Sequence, residues 1–294
     1  MDLSVLIATK GRPDLLRETL ASLTRCEPPP REVIVVDGDA ARSAGPVVEA
    51  ARTEGGLRLH YLASRPGLTV QRNRGLDAAQ GEVVVFLDDD VRVHPGLLAA
   101  LARAYRDPEV VGATGNVLEE QGRRFGNSRS AVRRLLPGGG DEGSMTRYGY
   151  PRRLQDLGRE RDVEFMQGCL MSARTEVARR LRFDENLAGY ALLEDEDFSY
   201  RLSRAGRLRY VPQAILHHAN TGGRGSGGRE FNRMVVVNRA YLFRKNFRRT
   251  PLARAQFAML IAVLAVHRAL NREWAGLVGL AEGSADAFRS RGPH

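Results

Sequence analysis

Three consecutive carboxylates, Asp88-Asp89-Asp90, follow directly on the apolar run Val83-Val-Val-Phe-Leu87. Adjacent anions repel one another, so a sequence shaped by stability alone would separate them unless a cation neutralises the cluster. Carboxylate oxygens are hard ligands that suit Mg²⁺ or Mn²⁺, above all when phosphate oxygens complete the octahedron. A second acidic run, Glu194-Asp195-Glu196-Asp197, opens a helical pattern. The helix dipole favours negative charge there, but four acids exceed what it needs. Crowded like charges raise a carboxylate's pKa towards the range useful to a general base. Further on, His217-His218 closes an apolar stretch and precedes Asn220-Thr-Gly-Gly-Arg224-Gly-Ser-Gly-Gly228. Neighbours on an extended chain face opposite sides, so one histidine of the pair points towards the acids. The glycine-rich segment lacks the Gly-Lys-Ser/Thr of a P-loop and reads better as a flap carrying Arg224 as its cation.

These groups need a frame, and the first 115 residues supply one by alternation. Apolar runs rich in branched residues at Leu3–Ala8, Glu32–Val36, Leu57–Leu62, Glu82–Leu87 and Val110–Ala113 predict strands. Helical patterns lie between them at Pro13–Thr24, Pro46–Arg52, Thr69–Ala79 and Pro95–Tyr105, with prolines where a helix's first turn tolerates a missing N–H. Strand and helix in alternation predict βαβ units and a mostly parallel sheet flanked by helices. Ligands of such sheets bind beyond the carboxyl ends of the strands, which is where Asp88–Asp90 fall. Residues 118–161 are rich in Gly, Arg and Ser around Pro137-Gly-Gly-Gly140 and predict a long mobile loop. Regular structure returns at Val163–Ser172, a helix at Arg174–Leu181, the acidic helix at Leu193–Gly206 and a strand at Leu208–Leu216. Two or three helices complete the chain from Glu230 to Phe288.

With 43% hydrophobic and 27% charged residues over 294 positions, the chain is globular rather than disordered. It carries a formal charge of +10, and Lys10 and Lys245 are the only lysines among 45 basic residues. So arginine-rich a chain fits phosphorylated ligands or an anionic surface. Nucleic acid is not an expected partner, because aromatics are only 6% and no binding motif is present. Cys26 and Cys169 are too few for a disulfide framework and point to a reducing compartment. The N-terminus has no signal-peptide pattern, so a cytoplasmic location is expected. The longest apolar run, Ala255–Val266, is 12 residues broken only by Gln256, short of the roughly 20 a bilayer crossing needs. Before it, Arg229, Arg233, Arg239, Arg244, Lys245, Arg248 and Arg249 face a single acid, Glu230. A basic surface beside an apolar helix describes contact with an anionic inner leaflet, and packing against the core is the competing reading.

Two families place paired aspartates after an apolar strand. Haloacid dehalogenase-like phosphatases require a lysine between their first aspartates and a later acidic pair, but here the later acidic cluster ends at Asp197 and no lysine occurs between Lys10 and Lys245. The family 2 glycosyltransferases of GT-A fold fit better. Ser4-Val-Leu-Ile-Ala-Thr9 with Arg12-Pro13 resembles their opening strand and loop, and Val33-Ile-Val-Val-Asp37-Gly-Asp39 their second strand. Arg65 to Gly75, with Arg72, is similar to the segment that leads into their aspartates. Phe183-Asp184-Glu185 followed by Glu194-Asp195 is similar to their acceptor-side motif. The resemblance implies an inverting, metal-dependent transfer of sugar from a nucleotide diphosphate sugar (UDP- or dTDP-linked first, GDP-linked next) to a hydroxyl acceptor. It implies Asp88 on the ribose, Asp90 on the metal with Asp89 between them, and Asp37 on a pyrimidine base. Thr9, Arg12, Arg72 and Arg224 would line the donor, with Arg72 on phosphate. Asp195, beside Glu194, would be the general base, with Asp197 as runner-up, and His217 would join Asp90 at the metal. Three parts follow: a nucleotide-sugar half at 1–115, an acceptor half at 116–228 and a helical extension at 229–294. A sugar-nucleotide binder without turnover is the competing reading, and intact Asp88–Asp90 and Asp195 argue against it.

Overall fold

The computed structural model describes residues 1–119, 141–152, 154, 158–219 and 228–289. The first half follows the alternation: β1 (Leu3–Thr9), α1 (Pro13–Leu23), β2 (Glu32–Asp37), α2 (Gly45–Glu54), β3 (Leu59–Ala63), α3 (Leu68–Ala78) and β4 (Val83–Asp88). A short β5 (Val91–Val93), α4 (Leu97–Ala104) and β6 (Val110–Glu119) come next. Then follow β7 (Arg161–Val163), β8 (Leu170–Arg174), α5 (Thr175–Leu181), α6 (Glu194–Ser203) and β9 (Arg207–His218). The C-terminal helices are α7 (Arg229–Asn246), α8 (Pro251–Leu270) and α9 (Trp274–Arg289).

One sheet runs in the order β3-β2-β1-β4-β8-β6-β9-β5, with β7 paired to β9. From β3 to β4 every pairing is parallel. Beyond β4 the sheet turns mixed: β8 is antiparallel to both β4 and β6, and β5 is antiparallel to β9. Burial on both faces explains the unbroken apolar strands. Val83, Val85 and Leu87 pack with Leu16 and Leu20 of α1 and Leu97 and Leu101 of α4. Val84 and Phe86 meet Leu76 of α3 and Phe198 and Leu202 of α6 on the opposite face. Phe86 stands edge-on to Phe183 at 5.1 Å between centroids, and Phe183 stacks on Phe198 at 4.3 Å; such pairs add about 0.5–1.5 kcal/mol each beyond their area.

Register decides what meets at the ligand edge. Thr9 lies opposite Asp37, and Ala8 opposite Asp88. The predicted strand at Val110–Ala113 continues to Glu119, so Leu118 belongs to β6 rather than to a loop. Part of the expected mobile loop is also packed. Residues 141–152 form turns with a bridge between Met145 and Pro151. Tyr148 is buried with Phe243, Ala253 and Leu260, and an apolar anchor of that kind is what the glycine and arginine composition concealed. Residues 120–140, which include Pro137-Gly-Gly-Gly140, lie outside the described residues, as do 153 and 155–157. At the C-terminus α9 crosses α7 on glycines: a Cβ on Gly279 would stand 2.0 Å from the Arg229 carbonyl oxygen, and one on Gly283 2.6 Å from that of Arg233.

Candidate active site

The strand that delivers Asp88–Asp90 sends them to different sides. Asp89 is fully buried: its Oδ2 accepts from the Thr9 hydroxyl at 2.6 Å, and Arg12 Nη2 lies 2.7 Å from its Oδ1. Burial, offset only in part by Arg12 and Thr9, pushes Asp89 up to about 6. Asp88 and Asp90 turn the other way, towards β9. There the pairing of Val91 with His218 brings His218 beside the acids, with Nε2 3.1 Å from Asp90 Oδ1 and 4.0 Å from Asp88 Oδ2. The Ala219 N–H donates to the Asp90 carbonyl at 3.0 Å and closes the turn. Asp88, Asp90 and His218 each offer a donor atom within 4.8 Å of the others. Two carboxylates and an imidazole form a donor set that fits a divalent cation such as Mn²⁺ or Mg²⁺.

Histidine placement corrects the sequence reading. His217 pairs with Arg92 across β5 and is exposed, while His218 is buried at the acids. Period-two alternation carried the signal: Ala214 and Leu216 are buried, Gln213 is exposed, and His218 shares their parity.

Arg72 connects the strand end to the acidic helix. It is buried on α3 and donates at 2.8 Å to Glu194, 3.2 Å to Asp88 and 2.8 Å to the Gly168 carbonyl. Its guanidinium also sits 5.3 Å from the Phe183 ring centroid. With its donors so committed, Arg72 is a clamp between β4 and α6, not the phosphate contact expected from sequence. Gly168 meets the same helix from its other side, its N–H donating to Asp195 Oδ2 at 3.1 Å. Asp195 and the metal-type cluster are therefore fixed to each other through Gly168 and Arg72. The turn into α6 is strained: Leu193, a bulky residue, holds φ 75°, a conformation costing about 1–3 kcal/mol.

The four acids of α6 part company. Glu194 takes Arg72, and burial together with the like charges of Asp195 and Asp88 pushes it up to about 8. Glu196 forms a two-pronged buried pair with Arg239 of α7, at 2.9 and 3.0 Å. Asp197 is 1% exposed and accepts from Arg201, Lys245 and Asn246. That wrapping removes Asp197 from contention as a base. Asp195 is the least buried of the four, and its oxygens accept from the N–H groups of Gly168 and Glu196.

Several further positions differ from expectation. Asp37 sits at the right edge of the sheet, yet its oxygens accept from Asp39 N, Ala44 N and the Tyr61 hydroxyl. It staples its own loop. Thr9 and Asp89 satisfy each other below the surface, so neither lines the donor space, whereas Arg12 is partly exposed and also reaches Asp90 at 3.3 Å. Arg224 lies outside the described residues. The cations Arg239 and Lys245 were legible only as a basic stretch; in the fold they balance Glu196, Asp197 and Asp184.

Comparison with known proteins bears on this geometry. Residues 4–182 match the model of glycosyl transferase family 2. The succinoglycan biosynthesis protein ExoM of Rhizobium meliloti is 34% identical over 120 residues, 40% of this chain and 38% of that protein. A pre-mycofactocin glycosyltransferase of Mycobacterium tuberculosis is 27% identical over 226 residues, 74% of this chain and 42% of its own. The chain thus spans less than half the length of these curated relatives. Among solved structures, a mannosyltransferase from Pyrobaculum calidifontis, in complex with GDP-Man and Mn²⁺, superposes with a TM-score of 0.62 at 17% identity, covering 97% of this chain and 86% of that one. Its fold is this fold. With the family's model matched across more than half its length, the chain belongs to glycosyl transferase family 2.

Proposed function

We propose that the protein transfers a sugar from a nucleotide diphosphate sugar to a hydroxyl acceptor in a single inverting displacement. The observation that carries this reading is the union of two sites at one sheet edge. The Asp88, Asp90 and His218 cluster would hold a divalent cation, and Asp195 is held beside it through Gly168. When bound there, a divalent ion supplies charge stabilisation to the departing nucleoside diphosphate. Asp195 accepts the proton of the acceptor hydroxyl as it attacks the anomeric carbon. Arg72 and Gly168 fix the distance between the two sites, so that donor and base meet in register. Arg12, partly exposed above Asp90, is the cation placed to meet a donor phosphate.

Calorimetry with UDP, dTDP and GDP, each with Mn²⁺, with Mg²⁺ and with EDTA, tests the donor half. One nucleotide should bind tightly, and its affinity should fall steeply on chelation and in Asp90→Ala. Equal affinity in all conditions defeats the metal role. Sugar release from the matching donor tests turnover, and binding without any release would leave a donor-binding protein.

A further inference from the structure

α8 has its apolar residues on the wrong side for a helix facing water. One stripe packs inward along its length: Ala253, Leu260 and Val263 are buried, and Phe257 and Leu264 lie against Tyr148 and Phe243. On a surface helix the opposite stripe is polar. Here the outward surface carries a second apolar stripe, about a third of a turn round from the buried one: Leu252, Ala255, Met259, Ala262, Val266 and Leu270, spaced by three or four residues and all exposed. Leu252 is 53% exposed, Val266 51% and Leu270 75%, and Trp274, at 62%, follows one turn later. Arg248 and Arg249 precede the helix, Arg254 sits in its first turn and Arg272 just beyond its end, all exposed. No Asp or Glu occurs between Arg248 and Arg272.

We propose that α8 lies flat on an anionic lipid surface, with its outward stripe in the acyl boundary and the flanking arginines on the headgroups. The helix has the length and composition to cross a bilayer, with mean hydropathy 1.3, more than the 12-residue apolar run alone suggested. Its inward stripe, however, is packed on the domain from Ala253 to Leu264, so crossing would strip Tyr148 and Phe243 of their cover. A helix held to protein on one side and apolar on the other is interfacial. A second copy suits the face less well, because an acid-free segment offers no partner for its own arginines and pairing would set like charges together. Two of the cations expected on the lipid, Arg244 and Lys245, are engaged within the protein: Arg244 donates to the Ala287 carbonyl, and Lys245 to Asp184 and Asp197. The lipid-facing element is therefore α8 rather than the basic helix before it. This assignment is independent of the donor chemistry.

Co-sedimentation of the full chain with phosphatidylcholine vesicles, and with vesicles of equal parts phosphatidylcholine and phosphatidylglycerol, tests it. The protein should pellet with the anionic vesicles and bind less as salt rises. The triple variant Leu252→Glu, Met259→Glu, Val266→Glu should lose roughly tenfold or more of that binding while keeping its melting temperature and nucleotide affinity. Should the triple variant melt early, Arg248→Gln with Arg249→Gln, outside the helix, must weaken anionic binding in its place. Absence of the wild-type protein from both pellets overturns the proposal, as does a well-folded triple variant that pellets normally. Light scattering that shows a dimer dissociated by the triple variant, with vesicle binding unchanged, overturns it in favour of self-association.

Discussion

The molecule carries two runs of consecutive acids, and the backbone beneath each decides what the acids become. β4 ends at Asp88 and the chain turns through Asp89 and Asp90 into β5, so Asp88 and Asp90 join His218 while Asp89 is buried under Thr9 and Arg12. At the start of α6 a helical chain turns each successive residue by about 100°. Glu194, Glu196 and Asp197 consequently reach three different basic partners on α3 and α7, while Asp195, the least buried of the four, accepts from the backbone N–H groups of Gly168 and Glu196. In neither run do all the acids serve one site. Each run yields one or two chemical groups, and the remaining acids are structural, each held by arginine or lysine.

The sharpest test of that division is Asp195→Asn. It is nearly isosteric, so donor affinity should stay within a few-fold of wild type while sugar transfer falls by about 10²–10⁴, the worth of a positioned base. Donor hydrolysis serves as the assay. A matching loss in Asp197→Asn, with Asp195→Asn active, would reverse the assignment within the helix.

Breaking a structural pair should do the opposite. Arg239→Met strands the buried Glu196 carboxylate and should cost about 3–5 kcal/mol in denaturant unfolding, with little change in nucleotide affinity for whatever fraction stays folded. A stable variant that instead lost turnover would move Glu196 into the site.

The two histidines discriminate at the strand end. His218→Ala should weaken metal-dependent nucleotide binding by about 10–100-fold, and His217→Ala should leave it unchanged, as calorimetry in Mn²⁺ would read. If the two variants exchange these effects, the β5–β9 register is wrong.

The smallest effect is at acid pH. Burial opposes ionisation of Asp184, but hydrogen bonds from Lys245 and Tyr241 overcome it and bring the carboxyl down to about 2. A depressed carboxylate stabilises the fold above its unfolded value near 4, and that contribution is lost as pH falls from about 4 towards 2. Lys245→Met should remove about 1 kcal/mol at neutral pH, after allowance for solvent screening, and flatten the acid limb of the melting curve. An unchanged limb would show that Lys245 serves Asp197 alone.

Composition and periodicity were enough for the βαβ frame, the placing of Asp88–Asp90 at its ligand edge and the helical start at Glu194, and the order of short motifs carried the family resemblance. Each of these is a local matter: branched apolar runs make strands, prolines open helices, and a chain leaves a strand at its carboxyl end. Pairings between distant segments were decided only by the tertiary structure. Arg72 meets Glu194 across 122 positions, Asp90 meets His218 across 128, and Glu196 meets Arg239 across 43. With arginine supplying nearly all of the 45 basic residues, charge type alone could not say which one neutralises a buried acid and which stays on the surface. The antiparallel insertion of β8, the β5–β9 pairing and the burial of Tyr148 beneath α8 follow from how the sheet closes and which apolar faces remain to be covered. Burial then sets the rest, because a charge removed from water must find its counter-charge wherever the fold has placed one.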